Sequence, residues 1–196
     1  MDKKEIQEQR MRMYFINATK ELLKGEGLKS ISVRNIADRA GYSFGTLYNY
    51  FDDVKELIFI CVEDFQTECR EFIEERTKTQ SSGKDKLRAI VKFYMYYFVQ
   101  YPGIFELFFL ERANDVGNKK PTFEMIYSFL DRLCRDEWKY LVEQGALSKQ
   151  QARLKAEITK NMAAGMLIYY LNRHIPQSFE EFSQKTETLL DEILNF

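Results

Sequence analysis

Histidine, proline, tryptophan and cysteine are scarce in this 196-residue chain, and each scarcity narrows what the protein can be. With His174 as the one histidine, there is no set of imidazoles to hold a catalytic zinc and no pair of histidine general bases. The three cysteines, Cys61, Cys69 and Cys134, form no C-x-x-C pair and cannot all be bonded to one another within one chain. They read as small, buried apolar residues. Gly83-Lys84-Asp85 lacks the preceding glycine spacing of a phosphate-binding loop, and no nucleophile elbow is present. No catalytic residue, metal or cofactor is expected. No run of about 18 apolar residues occurs, so neither a membrane-spanning helix nor a membrane partner is expected. The opening Met1-Asp2-Lys3-Lys4-Glu5 leads into charge rather than an apolar stretch, unlike a secretory signal, and a cytoplasmic protein is expected.

What the chain does have is the make-up of a soluble globular protein, 45% hydrophobic and 30% charged. The net charge is only −1, but residues 1–51 carry nine Lys/Arg against six Asp/Glu, which leaves the other 145 residues at −4. A basic end on an acidic body suits a protein that meets a polyanion at one end. Apolar residues recur at i, i+3, i+4 and i+7 almost everywhere, and no alternating strand pattern is evident, so the fold class is all-α. Breakers divide the chain into about nine helices, over 3–24, 32–40, 44–50, 53–79, 84–101, 103–113, 121–144, 148–173 and 178–194. A polar loop through Asp115, Gly117 and Asn118 precedes Pro121, which opens the seventh of these.

The densest signal lies between Ile31 and Phe51. Ser32 has the chemistry of an N-cap, and Val33, Ile36, Ala37 and Ala40 then line one helical face. Gly41 can take the positive φ that ends this helix in a tight turn. Ser43 is a second N-cap, and Leu47 and Phe51, four apart, turn the next helix inward. Two short helices joined by a three-residue turn containing glycine make a helix-turn-helix. Thr46, Tyr48, Asn49 and Tyr50 leave hydroxyls and an amide on the outer side with almost no charge. Such groups suit phosphates and base edges in a major groove. Gly45, in the first turn, would let the backbone approach a phosphate closely. Phe15, Ala18, Leu22 and Leu23 of the first helix are placed to cover the two short ones.

The string Ile36-Ala37, Ala40-Gly41, Ser43, Gly45-Thr46-Leu47-Tyr48, Tyr50-Phe51 and Leu57 resembles the N-terminal signature of the tetracycline-repressor (TetR) family over roughly residues 13–57. The resemblance implies a helix-turn-helix DNA-binding domain at 1–52 and a helical ligand-binding and dimerisation domain at 53–196. It also implies that Ser32, Arg34, Ser43, Gly45, Thr46, Tyr48, Asn49 and Tyr50 face DNA. Tyr48 and Tyr50 would mainly hold phosphates, with Phe44, Thr46 and Asn49 nearest the bases. One position departs from the family pattern: the usual lysine three residues after the phenylalanine is Val54 here, and Lys55 follows it, beside Asp52 and Asp53. Either Lys55 substitutes, or that phosphate contact is weakened. Lys3, Lys4, Arg10 and Arg12 could add backbone contacts or simply form a solvated charged face.

Between Phe93 and Phe109 nine of 17 residues are aromatic. They lie all around the helix, which is therefore buried on several sides or lines a cavity. In the family this region holds the ligand. The expected pocket residues are Tyr94, Tyr97, Phe98, Tyr101, Phe105, Phe109, Tyr127, Trp138, Met162, Met166 and Tyr169, and the expected effector is a small apolar or aromatic molecule. The slim Ala163-Ala164-Gly165 segment and the stripe Phe182, Thr186, Leu189, Leu190 and Ile193 point to a homodimer through the last two helices, or to packing within one chain. A two-fold dimer would read a palindromic operator in double-stranded DNA. The expected function is a sequence-specific transcriptional regulator, a repressor by family resemblance, released by its ligand. The alternative is a non-specific architectural DNA-binding protein, which would bind unrelated duplexes nearly as well.

Overall fold

The computed structural model describes residues 2–110 and 120–196, and its regular elements there are all helical. Ten α-helices follow in order: α1 (Lys3–Glu26), α2 (Val33–Ala40), α3 (Phe44–Leu47), α4 (Val54–Thr77), α5 (Lys84–Gln100), α6 (Pro102–Phe105), α7 (Lys120–Tyr127), α8 (Phe129–Glu143), α9 (Lys149–Arg173) and α10 (Phe179–Leu194). A 3-10 turn occupies Leu28–Ser30, and a π-helical stretch, Glu106–Leu110, continues α6. The expected polar loop through Asp115, Gly117 and Asn118 lies outside the described residues. The expected continuous helix over 121–144 is two helices. At Ser128 the backbone turns to φ −90°, ψ 4°, and its carbonyl accepts the Arg132 N–H at 3.0 Å to start α8.

The chain forms two compact units, residues 1–66 with 101–126, and residues 67–100 with 127–196. In the first, α1 carries the buried face Phe15, Ile16, Ala18, Thr19, Leu22 and Leu23, at the helical spacing read from sequence. Ile36, Ala37, Leu47, Phe51 and Leu57 are buried in the same unit. Thr19 satisfies its buried hydroxyl by donating to the Phe15 carbonyl at 2.8 Å. The start of α6 packs against the end of α1 so closely that a Cβ on Gly103 would sit 2.1 Å from the Leu23 carbonyl oxygen.

In the second unit α5 packs against α8, α9 and α10, which explains why its apolar residues surround it rather than forming one stripe. Leu87, Ile90, Val91, Tyr94, Met95, Tyr97 and Phe98 are all buried. Glu137 is a buried carboxylate with two partners: it accepts from the Gly83 N–H at 2.7 Å and pairs with Lys86 at 3.1 Å. Those bonds tie the turn before α5 to α8. Ser148 and Gln151 form a reciprocal capping box on α9, with bonds of 3.2 and 2.9 Å. On α10, Phe182, Thr186 and Leu190 are buried, while Leu189 and Ile193 are half-exposed. Most of the stripe expected at a dimer contact thus serves this chain's own core.

Candidate nucleic-acid interface

The helix-turn-helix is built as its capping residues dictate. Ser32 Oγ accepts the Asn35 N–H at 3.1 Å and starts α2. Gly41, at φ 77° and ψ 26°, ends α2, with its N–H on the Asp38 carbonyl at 3.2 Å and the Tyr42 N–H on Ala37 at 3.0 Å. That pair of bonds is a Schellman closure, and its left-handed residue strongly favours glycine. Ser43 Oγ then accepts the Thr46 N–H at 3.1 Å and lies 2.9 Å from Thr46 Oγ1. The second helix is shorter than expected. After Leu47 the N–H groups of Asn49 and Tyr50 bond three residues back, to Thr46 and Leu47, so the chain tightens into a turn. The α-helical part of this element is therefore one turn long and offers little macrodipole for an anion.

What this element presents is a large unpartnered surface. Phe44 is 64% exposed and Tyr48 55%, with Ser43, Gly45 and Asn49 exposed beside them. Thr46 and Tyr50 are half-buried, and Tyr50 leans on Phe15 with ring centroids 6.2 Å apart. A Cβ on Gly45 would meet nothing closer than Ser43 Oγ at 3.7 Å, an ordinary contact, so the protein's own packing does not require glycine there. Arg34 and Lys55 are exposed and pair with no described residue. Tyr42, which sequence reasoning did not assign, is exposed in the turn and contacts Tyr14 at 5.8 Å. Its place just after the turn glycine is the signal that could have found it.

Around this surface several charges are already committed. Arg12 pairs with Glu56 at 3.1 Å, donates to the Tyr50 carbonyl and lies 4.2 Å over the Phe51 ring. It ties α1 to the turn after α3 and to the start of α4. Arg39 pairs with Glu26 at 2.9 Å and Glu21 at 3.6 Å, and Lys20 with Asp64 at 3.1 Å. The acids beside Lys55 have a structural use too. Asp53 Oδ1 accepts the Glu56 N–H at 2.7 Å as an N-cap on α4, and Glu56 Oε2 reaches back to accept the Asp52 N–H at 3.1 Å.

The expected ligand residues are distributed over both units. Tyr94, Tyr97 and Phe98 come together with Phe72 and Phe129, at ring separations from 4.9 Å (Tyr94–Phe98) to 5.9 Å (Tyr97–Phe72). Met166 is buried and Met162 half-buried on α9, whereas Tyr127 and Tyr169 are more than half exposed. Trp138 lines a groove between α8 and α9. Tyr101, Phe105 and Phe109 belong to the first unit, where Phe105 stacks on Phe109 at 5.2 Å. Next to Phe129 a cleft of about 320 Å3 opens between α4, α5 and α8, lined by Ile73, Ile90 and Leu133 and by the charged Arg70, Glu74, Arg132 and Asp136. Burial, helped by Arg70 and Arg135, lowers the Arg132 pKa from its usual value. Sequence reasoning missed these charged walls because each looks like one residue of a solvated helix face.

Residues 15–59 match the family of bacterial regulatory proteins, tetR family. The fatty acid metabolism regulator protein of Bacillus subtilis (strain 168) is 28% identical over 79 residues, 40% of this chain and 41% of that protein. The HTH-type transcriptional regulator BetI of Escherichia coli (strain K12 / DH10B) is 32% identical over 82 residues, 41% of this chain and 42% of BetI. The match spans about two fifths of the length of these relatives. Among solved structures, FadR from Bacillus subtilis in complex with stearoyl-CoA aligns with a TM-score of 0.75 at 17% identity, over 93% of this chain and 97% of that one. FadR from Bacillus halodurans aligns with a TM-score of 0.72 at 14% identity, over 92% and 93%. At such identities the likeness is one of fold.

Proposed function

We propose, from the match of residues 15–59 to the tetR family of bacterial regulatory proteins, that the chain is a transcriptional regulator of that family, a homodimeric repressor that leaves a palindromic operator when a small apolar or aromatic effector binds. The observation that carries this reading is the exposed, almost uncharged surface of Phe44, Tyr48 and Asn49 on a rigidly capped turn, flanked by unpaired Arg34 and Lys55. Phe44, Thr46 and Asn49 read base edges; Tyr48, Tyr50, Ser32 and Ser43 hold phosphates. Ser32 accepts its capping bond through a lone pair and keeps its O–H proton for a phosphate oxygen, and the hydroxyl pair of Ser43 and Thr46 shares one bond and keeps one proton to donate. Lys55 supplies the charge that Val54 does not.

The dimer face is the outer side of α9. Leu154 (58% exposed), Ile158 (45%) and Tyr169 (59%) form an apolar stripe there, and a Cβ on Gly165 would meet nothing within 4 Å. An unfilled glycine on an apolar stripe suits close approach of a partner helix. A symmetric pair places two recognition elements on successive major grooves about 34–36 Å apart. The effector acts through the helices around 84–145. Bacillus subtilis FadR, solved in complex with stearoyl-CoA, is a precedent for a lipophilic ligand in this fold. A ligand shifts such an equilibrium only by its differential affinity for the two states.

Fluorescence anisotropy with duplex DNA from upstream of the protein's own gene, against a scrambled duplex at two salt concentrations, tests the reading. Tight binding of two chains per site to the upstream DNA alone supports it. Equal binding to both duplexes with a steep salt dependence would identify an architectural DNA-binding protein instead.

A further inference from the structure

The groove between α8 and α9 has a constitution that DNA binding does not use. Its volume is about 420 Å3, and its floor is Trp138, Val142, Ala152 and Ala156. The two alanines on α9 are what keep it open, since larger side chains at those positions would fill the space over the indole. Three cations stand on its rim: Arg135 from α8, and Lys149 and Arg153 from α9. All three are exposed, and none has an ion-pair partner among the described residues. A fourth rim cation, Lys139, is matched within the groove by Glu143, 3.7 Å away.

We propose that this groove binds a small anionic amphiphile, an alkyl or aromatic carboxylate, with its apolar part on Trp138 and its carboxylate among Arg135, Lys149 and Arg153. The complementarity is twofold. The floor offers apolar surface for the hydrophobic part, and the rim offers guanidinium donors whose forked geometry matches a carboxylate. Trp138 is only 7% exposed, and its indole N–H has no hydrogen-bond partner among the described residues. At 100° per residue, Lys149, Ala152 and Ala156 lie on the side of α9 opposite Leu154, Ile158 and Gly165. A dimer through that outer stripe leaves the groove open.

Trp138 is the sole tryptophan, so one indole N–H resonance in a proton–nitrogen correlation spectrum reports on the floor of this groove alone. The full-length protein is titrated with octanoate and, separately, with 1-octanol as the neutral analogue. Supporting the proposal, octanoate moves the indole signal saturably and 1-octanol hardly does. The Arg135→Ala/Arg153→Ala double variant, at two exposed positions, keeps the parent melting temperature and weakens octanoate about tenfold, the loss expected for hydrogen bonds to a charged group. No movement, equal movement with 1-octanol, or an unchanged octanoate affinity in the double variant overturns it. None of these readouts involves DNA, so the outcome is separate from that of the operator experiment.

Discussion

Gly45 and the cysteines show how much a single residue's surroundings decide. Nothing inside the protein crowds Gly45, so Gly45→Ala leaves the fold intact, and the lower conformational freedom of alanine stabilises it slightly, by about 0.5–1 kcal/mol. If the glycine exists to admit a DNA backbone, the same substitution weakens operator binding about tenfold or more while the melting temperature holds. A thermal melt beside an anisotropy titration checks both, and unchanged affinity would remove Gly45 from the interface. Asn49→Ala should relax base preference, and Tyr48→Phe should weaken every duplex alike; equal losses on all sequences for both variants would refute that division. The cysteines are the opposite case. All three are buried, and burial drives the Cys69 and Cys134 thiols far above their ordinary range, with Arg70 only partly opposing it at Cys69. Without thiolate there is no nucleophile. Ellman's reagent should therefore read close to zero thiols in the native protein and three after guanidinium unfolding.

At the scale of elements, the contacts that matter join helices far apart in sequence. Gly103 lets α6 press on the last turn of α1, and a backbone carbonyl cannot rotate out of the way as a side chain can. Gly103→Ala should destabilise by about 1–3 kcal/mol, the usual cost of overpacking. That lowers the melting temperature by about 2–4 °C per kcal/mol for a chain of this size. A variant melting like the parent would mean that α6 can move aside at no cost. Between α5 and α10, Lys92 donates to Glu187. That hydrogen bond raises the Lys92 pKa; burial opposes it, and the charges of Glu187 and Tyr96 add to it. Because the folded value lies above the unfolded one, this contribution is fully present below the unfolded lysine pKa of about 10.4 and fades as pH rises through the folded value. Lys92→Met should flatten the alkaline limb of a stability–pH curve. A parallel loss at every pH would mark the lysine as mere packing.

For the whole molecule the question is what covers the outer side of α9. Leu154, Ile158 and Tyr169 expose apolar side chains along that side, where the proposed dimer would bury them. Ile158→Asp places a charge at the middle of that stripe, where a second chain would bury it. Sedimentation should then show monomers in place of dimers, with operator affinity lost because one reading head is no longer coupled to the other. A variant that still sediments as a dimer moves the interface elsewhere. The two compact units, residues 1–66 with 101–126 and 67–100 with 127–196, each join stretches far apart in sequence. The helix-turn-helix is local in sequence, but α1, whose buried face belongs to the same unit, also packs against α6, about eighty positions further on, as the Gly103–Leu23 contact illustrates.

Most helix positions and the capped helix-turn-helix were legible in the sequence because they rest on local physics. Helical spacing, the capping serines Ser32, Ser43 and Ser148, and the left-handed glycine Gly41 act within a few residues, and each sits where its chemistry placed it. Tertiary packing alone decided the rest. It committed Arg12 to Glu56 and Phe51 rather than leaving it free, and turned Phe182, Thr186 and Leu190 inward. It separated the aromatic residues of 93–109 between two units, and it set Trp138 in a cation-rimmed groove. Periodicity shows that a face is apolar; which neighbour covers it depends on residues distant in sequence, and those are brought together only by the fold.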